Sequence, residues 1–307
     1  GACTRGHAIA FVGTTGAEMD GRISAGLTER VLAKLGFARA PATDRAGLAA
    51  LYAAWCRSVP FDNARKLIHL RANDPAPLPG DAPDDFFAAW LAHGAGGTCW
   101  ALHGAWCALL EACGFDARRA IATMLVAPDL PPNHGSVSVR LGSETLLVDG
   151  TMQYGEPLAL DAARATEIAH PAYGVRARPD GAKWRVAWRS PFTLEPMDCR
   201  IESLAGDAAA FRAYHEATRA WSPFNFQLMV RVRRGDGILN ATRGERIFIA
   251  ADGSVARAPL SRDARLKLLI EEAGFSEELA RQVPDDIAMP PPPGSRSAQS
   301  ASEPPRA

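Results

Sequence analysis

The stretch Gly94-Ala95-Gly96-Gly97-Thr98-Cys99-Trp100-Ala101-Leu102-His103 joins a turn of small residues to the start of a helix. Leu102, Trp106, Leu109, Leu110 and Cys113 recur at helical spacing, and Gly114 closes the pattern. Cys99 falls on the first turn of that helix, where unpaired backbone N–H groups and the positive end of the helix dipole favour a thiolate over a thiol. The two glycines let the chain turn sharply and leave the sulfur open to a substrate. Position alone also suits a small buried residue at a helix start.

Upstream the pattern is helical. Leu27, Val31, Leu32 and Leu35 form one apolar stripe, ended by Gly36, and Leu48, Leu51, Tyr52 and Trp55 form a second, ended by Val59-Pro60. Asp84-Asp85 open a third helix running to Leu91, with their charges at the positive end of its dipole.

Downstream, from about Phe115, the period changes to that of strands. Ala120 to Val126 is β-prone, Ser136 to Leu141 alternates, and Glu144 to Asp149 follows across a Gly142-Ser143 hairpin turn. A third region opens near Ser203 with a helix bearing Phe211 and Tyr214, continues with strands at Phe226–Val232 and Arg246–Ala250, and includes a helix over Ser261–Gly274 with Ser261 as N-cap. The division expected is an N-terminal extension (1–23), a helical domain bearing Cys99 (24–114), a β-barrel domain (115–202), an α/β lid (203–288) and a low-complexity, disordered tail (289–307).

A nucleophile needs a base, and a base needs an orienter. Among the seven histidines, His134 immediately precedes the alternating strand, and Asp149 ends the next one. Antiparallel pairing across Gly142-Ser143 brings those far ends together, which would let Asp149 hold the His134 imidazole. His103, four residues after Cys99, is the rival base, on the same helical face. Phe61, Trp100 and Phe224 are candidate lining residues of a substrate cleft, with core packing as their alternative role.

Composition narrows the classes. The 307 residues are 47% hydrophobic and 22% charged, the balance of a folded globular protein. The 34 Lys+Arg equal the 34 Asp+Glu, which disfavours a dedicated nucleic-acid binder. No apolar run is long enough to cross a bilayer, and Ala8–Val12 is too short for a signal-peptide core. The six cysteines contain no CxxC pair and match neither a disulfide framework nor a zinc site. The chain reads as reduced and cytoplasmic, with no metal, flavin or nucleotide motif.

The order Gly96-Gly97-Thr98-Cys99, His134, Asp149 resembles the arylamine N-acetyltransferases, in which a Gly-Gly-x-Cys segment supplies a catalytic cysteine and a later histidine and aspartate complete the triad. Val59-Pro60-Phe61-Asp62-Asn63 is similar to that family's Pro-Phe-Glu-Asn segment. Leu109-Leu110-Glu111-Ala112-Cys113-Gly114-Phe115 is similar to the end of its cysteine helix. Ser222-Pro223-Phe224 resembles the segment that opens its third domain, and Leu260 to Phe275 resembles a late helix; together these matches span about residues 24–285.

The resemblance implies an α+β, cysteine-protease-like fold in three parts: helical bundle, β-barrel and α/β lid. It implies that Cys99, His134 and Asp149 carry an acyl group from acetyl-CoA or another acyl-CoA to a small-molecule amine, and that Gly150 and Thr151 lie near coenzyme A. It implies no metal.

The sequence departs from the pattern where Ala95 replaces an arginine, Ala101 a glutamate and His103 an asparagine. The arginine would pair with the acid at Asp62. Without it Asp62 must be solvated, protonated or paired elsewhere, Arg65 being one candidate, because an unpartnered buried carboxylate costs about 3–5 kcal/mol. Three alternatives share the scaffold: an amide synthase fed by a carrier-protein thioester, a hydrolase or transglutaminase-like enzyme, and a degenerate homologue that only binds a small molecule.

Overall fold

A computed structural model describes residues 21–190 and 195–293. Most of the N-terminal extension and residues 294–307 of the low-complexity tail therefore lie outside the described residues.

The helical layer comprises α1 (Ala25–Lys34), α2 (Arg45–Ser58), α3 (Ala64–Arg71), α4 (Pro83–His93) and α5 (Cys99–Ala112). Side chains start α1 and α2: the Ser24 hydroxyl accepts the Leu27 N–H, and the Asp44 carboxylate accepts the Gly47 N–H. Left-handed Gly94 stops α4 and frees the chain to turn toward Cys99. The apolar stripes predicted from sequence, Leu27/Val31/Leu32 and Leu48/Leu51/Tyr52/Trp55, are buried in one core with Trp106, Leu109 and Leu110 of α5.

Eight antiparallel strands wrap this core: β2 (Asp116–Met124), β3 (His134–Leu141), β4 (Glu144–Leu147), β5 (Leu158–Ala159), β6 (Thr166–Ile168), β7 (Val175–Asp180), β8 (Lys183–Trp188) and β9 (Met197–Gly206). Their order is β5-β4-β3-β2-β9-β8-β7-β6, and edge strands β5 and β6 approach each other, so the sheet is nearly a closed barrel. The Gly142-Ser143 turn joins β3 to β4 in the expected register, with Leu141 opposite Glu144 and Ser138 opposite Leu147.

The helix expected near Ser203 begins later. β9 stays paired with β2 to Gly206, opposite Arg119, and only then does the Asp207 carboxylate cap α6 (Ala208–Ala217) through the Ala210 N–H.

A second sheet, β1-β10-β11-β12-β13, joins two distant parts of the chain. Its edge strand β1 (Phe61–Asp62) comes from the helical layer, and β10 (Met229–Arg234), β11 (Gly237–Thr242), β12 (Glu245–Ile249) and β13 (Val255–Pro259) come from the C-terminal region. The helix capped by Ser261 runs as α7 (Arg262–Lys267) into a π-turn over Leu268–Glu272, followed by α8 (Glu277–Gln282). Leu268, Leu269, Phe275 and Leu279 pack under this sheet with Leu67 of α3 and Ala95. The helical layer, the barrel-like sheet and the α/β cover reproduce the three-part α+β architecture expected from the sequence.

Candidate active site

The Gly96-Gly97 turn is set by close backbone approach. Asp62 N–H donates to Gly97 O at 3.2 Å, and a Cβ on Gly96 would lie 1.9 Å from Pro60 O, so only glycine fits there. The chain then enters α5 with Cys99 as its first residue and Thr98 as N-cap. Cys99 is buried with Trp100 and Phe211, and Ile121 and Tyr214 pack against them.

His134 is the first residue of β3, opposite Ala122 of β2. The loop before it is anchored at Asn133, whose N–H donates to Ala122 O and whose Oδ1 accepts the Met124 N–H at 2.8 Å. Asn133 O lies 4.0 Å from Cys99 Sγ. The His134 ring lies against Trp188, with centroids 6.3 Å apart.

Asp149 follows β4 on a rigid frame. The Tyr52 hydroxyl donates to Asp149 O at 2.6 Å, Trp106 Nε1–H donates to Val148 O at 3.0 Å, and the Tyr154 hydroxyl bridges the Asp149 N–H and Leu147 O. From that frame Asp149 Oδ2 meets His134 Nε2 at 2.8 Å, which leaves the other ring nitrogen free of Asp149, while Cys99 Sγ lies against the carbonyl of the preceding residue, Asn133. The hairpin thus brings Cys99, His134 and Asp149 together. Burial would lower the His134 pKa, but the Asp149 carboxylate and then Cys99 outweigh it and raise it to about 10.

A second imidazole lies on the far side of Asp149. His103, completely buried on α5, accepts the Gly150 N–H on Nε2 at 2.7 Å, and the same nitrogen is 3.4 Å from Asp149 Oδ1. A donor this close leaves no room for a hydrogen on Nε2, so the His103 proton sits on Nδ1, a buried atom without a partner. Asp149 Oδ1 is filled by the Thr151 hydroxyl and by the N–H groups of Thr151 (2.9 Å) and Met152 (3.0 Å).

Burial would raise the Asp149 carboxyl; the flanking His103 and His134 hold it well below the ordinary range. His103 thus faces Asp149, and His134 is the imidazole beside Cys99.

The remaining candidates are placed as follows. Gly150 is internal: a Cβ there would lie 2.6 Å from Leu102 and 2.8 Å from Trp55 Nε1. Thr151 is engaged with Asp149. Phe61 of β1 and Phe224, in the turn before β10, meet edge to face at 5.3 Å, and Trp100 packs against Phe211 and Tyr214.

Asp62 is not paired with Arg65, which bonds Asp85 at 2.8 Å. Its buried carboxylate instead accepts the Gly96 N–H at 2.7 Å and the Ala64 N–H at 3.0 Å. Ala95, at the expected arginine position, is fully buried in the second core. Burial raises the Asp62 pKa to about 6 against the pull of these N–H groups. Among the described residues, no group of three or more His, Cys, Asp or Glu side chains could hold a metal ion, and no helix is long and apolar enough to cross a membrane.

No family model matches the sequence, and no curated protein matches it. Solved structures do. The arylamine N-acetyltransferase from Mycobacterium abscessus superposes with a TM-score of 0.69 at 18% identity, covering 83% of this chain and 93% of that one. The enzyme from Salmonella typhimurium gives 0.69 at 19%, covering 85% and 98%. The Mycobacterium marinum enzyme in complex with CoA gives 0.70 at 16%, covering 83% and 98%. The chain has the arylamine N-acetyltransferase fold. At this level of identity the arylamine N-acetyltransferase likeness establishes architecture, and the chemistry has to be argued from the side chains.

Proposed function

We propose that this chain is an acyl-CoA-dependent N-acyltransferase working through a thioester on Cys99. The observation that carries the reading is the 2.8 Å bond between His134 and Asp149 beside Cys99, whose sulfur lies against the carbonyl of Asn133, the residue before His134. His134 takes the Cys99 proton, and the imidazolium is stabilised by Asp149, which three further donors on Oδ1 keep oriented.

The thiolate attacks the thioester carbonyl, the bond to coenzyme A sulfur breaks, and His134 returns the proton to the leaving thiol. An amine then attacks the Cys99 thioester, His134 takes a proton from it, and Cys99 leaves as thiolate. Neither half-reaction expels a poor leaving group. The buried setting of Cys99 and His134 keeps water from competing with the amine.

The donor is the acyl-CoA and the acceptor a small amine. A carrier-protein thioester is the second donor class, favoured by one observation: of the two residues expected near coenzyme A, Gly150 is packed against Leu102 and Trp55, and the Thr151 hydroxyl and N–H are turned to Asp149.

Intact-mass spectrometry after incubation with a panel of acyl-CoA donors tests the reading, with Cys99→Ala as control. A single acyl adduct that disappears in Cys99→Ala is the expected result. Absence of any adduct from every donor overturns acyl-CoA transfer. If Cys99 is then still preferentially alkylated below pH 7, a carrier-protein source takes its place; if its reactivity is ordinary, the chain is a binding homologue.

A further inference from the structure

Phe211 is a buried aromatic side chain that the chemistry above leaves unused, and it reaches the site from outside the helical layer. It lies in α6, is only 3% exposed, and shares one buried cluster with Cys99 and Trp100. Its ring meets Trp100 edge to face, with centroids 5.0 Å apart. The backbone beside His134 lies against the same pair. A Cβ on Gly135 would fall 2.6 Å from Trp100 Cε3 and 3.2 Å from Phe211 Cε2, so only glycine leaves both rings room there. Phe211 therefore packs on Trp100 and Gly135, the residues that follow Cys99 and His134.

The helix that carries this ring is tied down at both ends. The Asp207 carboxylate caps it directly after β9, accepting the Ala210 N–H at 2.7 Å. Past Phe211, His215 Nε2–H donates to Pro79 O at 3.1 Å, and the C-cap Thr218 hydroxyl accepts from Lys66 Nζ at 2.7 Å. Phe211 sits between these anchors, so its ring is a fixed wall.

Behind the wall lies a cavity of about 90 Å³, several times what a single water needs. Ala101 and Gly104 of α5, Ala208 of α6 and Arg119 of β2 line it together with Trp100 and Phe211. Among the described residues, Trp100 and Phe211 are the two that belong both to this lining and to the cluster around Cys99. Their rings are thus the partition between the thiol and the cavity. Trp100 is part of the cysteine helix and is stacked on Tyr214 at 4.8 Å. Phe211, arriving from another element, is the half of the partition that can be changed without altering α5 itself.

We propose that Phe211 is the specificity-determining residue for acyl-chain length: it ends the space open to the group carried on Cys99, so that acetyl and propionyl are transferred and chains of about six carbons or more are rejected. This rests on the acyl-CoA reading above. The covalent step is unchanged: Cys99 sulfur forms the new thioester, the bond to coenzyme A sulfur breaks, and His134 returns its proton to the departing thiol. Phe211 makes and breaks no bond. It acts by contact with the end of the chain, because a tail that outgrows the site has to displace close-packed rings. Without the ring, the cavity behind it becomes room for that tail.

Loading of Cys99, followed by rapid mixing and intact mass on the full chain, tests this with acetyl-CoA against hexanoyl-CoA. The wild type is expected to load acetyl at least about tenfold faster, the discrimination that overpacking a closed site gives. Phe211→Ala should raise the hexanoyl-to-acetyl ratio at least about tenfold, and Phe211→Leu should raise it by less. Adding Gly104→Val to either variant refills the cavity from α5 and should return the ratio most of the way to the wild-type value.

Equal or faster loading of hexanoyl by the wild type overturns the proposal, as does an unchanged ratio or an equal loss on both donors in folded Phe211→Ala. A raised ratio that Gly104→Val leaves raised also overturns it, since that is general loosening of the site. If Phe211→Ala does not fold, Phe211→Leu with and without Gly104→Val decides. Loading by acetyl-CoA with an unmoved ratio sinks this proposal and leaves acyl-CoA transfer standing; loading by no donor sinks both.

Discussion

Two carboxylates, Asp149 and Asp62, are both fully buried, one bonded to His134 and the other to the turn before Cys99, yet they end with opposite electrostatics. Asp149 is held by an imidazolium on one oxygen and by backbone and hydroxyl donors on the other, and its carboxyl lies well below the ordinary range. Asp62 has two backbone N–H groups and no cation in contact, and its pKa rises to about 6. Backbone dipoles satisfy the hydrogen-bonding capacity of a buried carboxylate without offsetting its desolvation; a full charge in contact does both. In the proposed mechanism Asp149 is thus the anion that stabilises His134⁺, whereas Asp62 organises a turn.

The sharpest way to break this contrast is Asp149→Asn. It keeps the shape and removes the charge and the acceptor that fix the His134 tautomer. Acyl loading of Cys99 should fall by about 10³–10⁴-fold, as expected when an orienting carboxylate is lost. A loss below about tenfold would mean that Asp149, like Asp62, is only a structural acceptor.

Alkylation kinetics read the same contrast through the thiols. Burial pushes Cys56 and Cys107 up to about 12, Cys113 to about 11 and Cys199 well above its usual value, and none of these has an imidazole partner like His134. Peptide mapping after limited iodoacetamide treatment at pH 6.5 should find Cys99 modified about 10²-fold ahead of the others, and His134→Ala should remove most of that lead. Uniform labelling across the described thiols would argue against the Cys99–His134 pair.

Asp62 is tested through stability. Asp62→Ala leaves the Gly96 and Ala64 N–H groups buried and unpartnered, which should cost about 2–4 kcal/mol in denaturant unfolding at low pH. The sign with pH follows from the raised carboxyl. The folded form binds the Asp62 proton more tightly than the unfolded chain does, so Asp62 contributes most below about pH 4. That contribution shrinks as pH rises through about 6, by roughly 3 kcal/mol in total. His215, lowered by burial to about 4, titrates in the same window with the opposite sign. The measurement is therefore the difference between wild type and Asp62→Ala at pH 4.5 and 7.5. A difference that grows with pH would mean that Asp62 has a cation after all.

Which parts of this were legible in the sequence follows from what periodicity encodes. The stripes of α1, α2 and α5 and the hairpin around Gly142-Ser143 are patterns of burial, and they were enough to bring Cys99, His134 and Asp149 to one place. What had no signature was anything decided by backbone donors or helix rotation. Arg65 was a reasonable partner for Asp62 by proximity in sequence, but α3 turns it toward Asp85, and the groups that do satisfy Asp62 are N–H groups identical at every residue. The start of α6 was misplaced because β9 keeps its pairing with β2 to Gly206, a long-range fact that no local pattern in Ser203–Gly206 carries.

The smallest expected effect concerns His103, the rival base. Its position on the same helical face as Cys99 made it a candidate, but the structure turns Nε2 to the Gly150 N–H and Asp149 Oδ1, and the reachable proton lies on a buried, unpartnered Nδ1. A group so placed can hold the Asp149-Gly150 turn but cannot take a proton from Cys99. Gln at position 103 can bring a carbonyl oxygen to the place of Nε2, so His103→Gln should keep acyl loading within about tenfold of wild type, with the pH dependence of loading unmoved. His103→Ala leaves the Gly150 N–H unpaired in a buried site and should lose stability by about 1–3 kcal/mol before it loses chemistry. If His103→Gln instead abolishes loading as completely as Cys99→Ala does, in a protein that unfolds at the wild-type denaturant concentration, then the base is on α5 and the hairpin merely frames it.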